Sequence, residues 1–147
     1  MLIIGVGNEM RGDDGAGIRV ARRIREQKLP NLTVLEHSGE GTSLMEAWKH
    51  RNQVIVIDAA HSDSPPGTIH RYEIHQKPLP SNLFRFSTHT FGIAEAIELS
   101  RALHELPASI IVYGIEAKAF DTGSALSPEV QSAIDFVVDE ILSPQSR

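Results

Sequence analysis

A chain of 147 residues, 41% hydrophobic and 22% charged, has the size of one ordinary domain and enough apolar residues to bury a core. A formal charge of −5 and a pI near 5.8 leave no pooled basic surface, which argues against nucleic acid and anionic lipid as partners. The absence of cysteine excludes disulfides, thiolate metal sites and a cysteine nucleophile, so any metal must be held by His, Asp or Glu.

The first apolar run, residues 1–6, is too short for a signal-peptide core and lacks a basic leader. No stretch approaches the ~20 apolar residues that cross a bilayer. A cytoplasmic protein forming one domain over residues 1–147 is therefore expected. In chain order, residues 2–6 read as a strand, and residues 15–28 as an amphipathic helix with Ile18, Ala21 and Ile24 on one side and arginines beside them. Pro30 and Asn31 end that helix. Residues 32–37 give a second strand. A second helix is expected from Ser43, where Ser43 and Glu46 have the spacing of a capping box, to about His50.

Residues 53–58 form the most apolar strand. Residues 68–74 follow it through a Ser-Pro-Pro-Gly loop too short for a crossover helix, which predicts an antiparallel edge strand. Residues 78–86 read as a mobile loop before a third helix over 90–104, with Ser87 or Thr88 as N-cap. Residues 109–115 are the last strand, and Ser127-Pro128-Glu129 opens a fourth helix with proline at its first position. Near-continuously apolar strands alternating with helices predict an α/β, three-layer sandwich: a mostly parallel sheet covered on both faces.

The glycines of Gly5-Val-Gly7-Asn8 stand between a strand and a helix, where a backbone turns tightly or approaches a ligand. A dinucleotide fingerprint would need a further glycine at position 10, and Asp13 and Asp14 would repel a phosphate, so a nucleotide-binding domain is disfavoured. The two acids suit either a helix N-terminus or a metal. Asp58 ends the run Val54-Ile-Val-Ile57, at the carboxyl edge where open α/β sheets bind ligands; its bland alternative is a turn-starting acid. His89 stands before the third helix at the same edge. Of the other histidines, His70 and His75 fall on the edge strand and His50 and His104 near helix ends, whereas His37 and His61 follow strands and stay open as crevice residues; the role of Glu116 also stays open. Asp14, Asp58 and His89 converge in this arrangement as two oxygen ligands and one imidazole, a set suited to nickel, zinc or another divalent ion. The chain has no Gly-x-Ser-x-Gly, His-Glu-x-x-His or P-loop motif.

Gly5-Val-Gly7-Asn8, Asp13-Asp14-Gly15-x-Gly17, Gly41-Thr42, Val56-Ile-Asp58-Ala59, Ser87-Thr-His89 and Leu126-Ser-Pro-Glu129, in this order and spacing, resemble the hydrogenase maturation proteases. The resemblance implies a twisted five-stranded sheet and a nickel-binding triad falling on Asp14, Asp58 and His89, serving both catalysis and metal recognition. It implies an aspartic-type, metal-dependent endopeptidase that removes the C-terminal extension of a nickel–iron hydrogenase large-subunit precursor once nickel is in place. Nickel would come with the substrate, zinc or another divalent ion being able to take the same site, and the protease would act as a monomer. The segment Ser38-Gly-Glu-Gly41-Thr42 departs from the Asp-Gly-Gly-Thr form of other members, and Asp14 stands where some have Glu. The competing reading is a nonenzymatic metal-sensing chaperone or binding module for the same precursor.

Overall fold

All five apolar runs of the sequence become strands in the computed structural model, which describes residues 1–84, 89–120 and 123–143. They are β1 (Leu2–Val6), β2 (Thr33–His37), β3 (Gln53–Ala60), β4 (Ile69–Glu73) and β5 (Ser109–Glu116). The sheet order is β2-β1-β3-β5-β4, parallel throughout except that β4 runs antiparallel to β5 at the edge, with His70 opposite Gly114. The mixed, mostly parallel α/β sandwich read from the sequence is thus the observed one.

Helices cover both faces, which is why every residue of β1 is buried. Beneath α1 (Ala16–Glu26) and α4 (Pro128–Leu142) lie Ile3, Ile55, Ile57, Tyr113 and Ile115. Under α2 (Gly41–Trp48) and α3 (Ile93–Ala102) lie the alternate residues Leu2, Ile4, Val54, Val56 and Val112. Each such fully buried aliphatic side chain contributes ~1.5–3 kcal/mol. Helix α1 presses directly on the sheet because Gly17 has no side chain: a Cβ there would stand 2.2 Å from the Ile57 carbonyl oxygen and 2.5 Å from that of Val6. Among the described residues no helix is long and apolar enough to cross a membrane.

Local chemistry moves several expected boundaries. Residues 12–15 form a 3-10 turn, and α1 begins only at Ala16. The Ser43–Glu46 capping box is not used. Glu40 caps α2 instead, its carboxylate accepting from the Thr42 and Ser43 amides at 2.8 and 2.9 Å, so the helix starts two residues earlier than Ser43. Helix α3 starts at Ile93 behind Gly92, whose amide donates to Glu95 Oε1 at 2.8 Å, and ends at Ala102, shorter than the 90–104 span. Its expected caps Ser87 and Thr88 lie outside the described residues, as do Arg85 and Phe86 of the expected loop 78–86. Within that loop Leu83 is buried, and its carbonyl accepts from His61 N at 2.9 Å.

Candidate active site

Strand β1 pairs with β3 only as far as Gly5 opposite Ile57, so Asp58 stands just past the β1 ladder at the carboxyl edge of the sheet. On this edge the turn carrying Asp14, the end of β2 and His89 enclose a crevice of about 460 Å³ lined by Gly7, Asn8, Met10, Asp14, His37 and His89, among others. Asp58 lies behind Gly7 rather than on the crevice wall. Gly7 has φ +144°, and a Cβ added to it would sit 2.0 Å from the Asp14 carbonyl oxygen and 3.9 Å from Asp58 Oδ1. Only glycine lets the Asp14 backbone come this close and leaves Asp58 reachable past it.

The Asn8 amide fixes Asp14, donating to its carbonyl oxygen at 3.2 Å and to Oδ2 at 3.1 Å. Burial raises the Asp14 pKa against the opposing pull of Arg11 and of the Asn8 hydrogen bond. Asp58 is held well above the usual carboxylate range, first by burial and then by the negative charge of Asp14, with the Ala59 amide at 2.8 Å offsetting this only in part. The two carboxylates therefore face one electrostatic problem that a cation would relieve. His89 is half-buried on the same crevice, near Gly39, where a Cβ would lie 3.7 Å from its Cδ2.

The structure thus brings Asp14 and His89 onto one crevice with Asp58 coupled to Asp14 beneath it. Among the described residues no three His, Asp or Glu side chains are gathered tightly enough to hold a metal ion by themselves. The convergence of Asp14, Asp58 and His89 on one metal, expected from the sequence, is therefore not seen as a gathered ligand group among the described residues.

The neighbouring acid, Asp13, has a different task. It is 0% exposed, and its carboxylate accepts from the Lys118 and Ala119 amides at 2.8 and 3.0 Å and from the Ser127 amide and hydroxyl at 2.8 and 2.9 Å. Ser127 still occupies the N-cap position of α4, but its hydroxyl serves Asp13 rather than the helix. His37 reaches the crevice, while its Nδ1 accepts from Gly39 N at 2.9 Å and burial pulls its pKa down, opposed by the Ser43 backbone. His61 stacks on Phe120, ring centroids 4.0 Å apart. Glu116, 3% exposed, accepts from the Ser62 hydroxyl at 2.7 Å and lies 3.0 Å from His70 Nε2, which ties down the loop after β3. The roles of Asp13, Glu116 and the Asn8 amide were not legible in the sequence, because each depends on partners far away in the chain or on the backbone itself.

This fold, with carboxylates and an imidazole at its carboxyl edge, defines an α/β protein whose ligand crevice sits at strand ends. The sequence profile described as hydrogenase maturation protease matches residues 18–144. A homologue of that designation from Methanocaldococcus jannaschii is 30% identical over 97% of this chain and 94% of its own. The structure of a nickel–iron hydrogenase maturation protease, HybD, from Thermococcus kodakarensis superposes with a TM-score of 0.71 at 30% identity, covering 99% of this chain and 98% of that one. The hydrogenase maturating endopeptidase HybD of Escherichia coli shares the fold, with a TM-score of 0.77 at 24% identity over 96% of this chain and 88% of its own. The chain belongs to the hydrogenase maturation protease family.

Proposed function

We propose that this protein is an endopeptidase that removes the C-terminal extension of a nickel–iron hydrogenase large-subunit precursor after nickel insertion, with the precursor's nickel engaged by Asp14, Asp58 and His89. The observation that carries the reading is the placing of Asp14 and His89 on one crevice at the carboxyl edge, with Asp58 behind Gly7 close enough for the Asp14 charge to raise its cost of ionisation. Family membership supports the proteolytic half of the proposal.

In this reading the metal is part of the substrate. The precursor's own donors hold nickel, and the protease side chains complete its coordination. Docking through the metal fixes the scissile peptide bond beside the carboxylates, so positioning supplies much of the rate. One carboxylate of the pair, Asp14 or Asp58, can act as general base toward an attacking water. In the same reading the reaction takes place in the cytoplasm on a monomeric enzyme, and zinc or another divalent ion could take the nickel position.

The test compares nickel-loaded and nickel-free precursor under chelator control, at one protease concentration, with precursor folding followed independently. Mass spectrometry should find the shortened product only from the loaded form. Equal cleavage of both forms refutes recognition through the metal. Stable binding of the loaded precursor with no cleavage would assign the protein instead as a nonenzymatic metal-sensing chaperone.

A further inference from the structure

Behind the turn that carries Asp14 lies a second crevice, of about 430 Å³. Gly12 and Gly15 of that turn form one wall, residues 124–126 a second, and α1 and α4 the rest. Glu9 lines both this crevice and the one holding Asp14 and His89. A bound chain can therefore pass from one to the other over Glu9 without leaving the protein surface.

Charge distribution restricts what can lie there. Leu126 and Ile134 supply apolar lining. Arg22 neutralises Glu9 through two hydrogen bonds of 2.6 and 2.9 Å, and Arg23 pairs with Asp135. Arg19 also lines the crevice and is exposed; it makes none of the close ion pairs of the other three arginines of α1, although its charge also acts on Glu9. Arg19 is thus the lining guanidinium with no close carboxylate partner among the described residues, beside the apolar lining. Guanidinium matches a carboxylate in a forked, two-bond geometry.

We infer that this second crevice is a substrate subsite that receives an apolar segment of the precursor's C-terminal extension, with Arg19 taking a carboxylate of that segment. The inference rests on the proteolytic reading above. It adds a contact remote from the metal, which accounts for how the chain on one side of the scissile bond is held once nickel has docked.

The probe is a synthetic peptide matching the extension of the cognate precursor, made as the free acid, as the C-terminal amide, and with its acidic side chains replaced by amides. Peptide binding is measured by calorimetry on the full chain, wild type, Arg19→Gln and the distant control Arg101→Gln. Arg19→Gln should weaken binding of the free acid about tenfold, and the control should match wild type. One of the two peptide changes should produce the same loss, and combining it with Arg19→Gln should add nothing further; which change does so names the source of the carboxylate. With nickel-loaded precursor, the effect of Arg19→Gln should fall on KM rather than kcat. Equal affinity of wild type and Arg19→Gln for the free-acid peptide overturns the subsite. Failure of the wild-type protein to cleave loaded precursor would instead overturn the proteolytic reading, a result that peptide binding does not depend on.

Discussion

Replacing Asp13 with alanine should unfold the protein far more readily than replacing any exposed acid. The buried carboxylate accepts four hydrogen bonds, three from backbone amides and one from the Ser127 hydroxyl. Each bond to a charged acceptor contributes ~1.5–3 kcal/mol, but the four share one carboxylate and do not add. Breaking a buried, satisfied charged network by removing one partner costs ~3–5 kcal/mol, against a total stability of ~5–15 kcal/mol for a typical domain. For a chain of this size the loss corresponds to a Tm decrease of roughly 6–20 °C. Asp13→Asn is the sharper variant. Its one oxygen can face the Lys118 and Ala119 amides and the Ser127 hydroxyl, which all meet Oδ2, leaving a mismatched amide group only at Ser127 N. It should therefore cost clearly less than alanine, ~1–3 kcal/mol. Urea unfolding of the three proteins measures both differences. An alanine variant within ~1 kcal/mol of wild type would refute the keystone role of Asp13, and an asparagine variant as damaged as alanine would refute the reading of its two oxygens.

Asp58→Asn keeps the shape of the site but removes the charge proposed to face the cation, so cleavage of nickel-loaded precursor should fall at least ~100-fold with unfolding unchanged; retained cleavage rules Asp58 out as a ligand or base. His89→Ala, at a half-buried crevice position, should abolish nickel-dependent docking while circular dichroism and Tm stay near wild type, whereas a collapsed fold would mark the histidine as structural. Gly7→Ala forces a Cβ to within 2.0 Å of the Asp14 carbonyl oxygen, so it should displace the Asp14 turn and lose activity together with ~1–3 kcal/mol of stability; full activity would show that the close approach is dispensable. Glu36 is held down to about 2 by Arg22 and then Arg25. Its stabilisation is therefore complete above the ordinary glutamate range near 4.5 and is lost as pH falls toward 2. Glu36→Gln should flatten the acid limb of the stability profile by under ~1 kcal/mol, since the pair is partly solvated; an unaltered limb contradicts the assignment.

The strands were legible because burial on both faces leaves unbroken apolar runs such as Val54–Ile57, and the edge strand because a loop with two prolines has no room for a crossover. Asp58 and His89 could be placed at one sheet edge from topology alone. Helix starts were harder. Glu40 outcompetes Ser43 because its longer arm folds back on two amides at once, and Ser127 sits at the expected cap while its hydroxyl turns to Asp13. Asp13 and Asp14 are adjacent and alike in sequence, yet one is buried beneath donors from residues 118, 119 and 127 and the other opens to the crevice. Nothing within a few residues of either acid separates them; the difference is written more than a hundred residues away.

That separation has a consequence for the order in which the site comes into being. The donors that hold Asp13 follow it by 105, 106 and 114 residues, so on the ribosome the turn bearing Asp14 emerges early and waits for its supports until the start of α4 has been synthesised. The β1–β3 pairing can form long before then. Closing so long a loop is entropically costly and comes late in folding. A nascent chain can thus possess most of its sheet while the Asp14 turn is held only by Asn8 and its own backbone, and the anchorage of Asp13 beneath that turn is completed only as α4 docks.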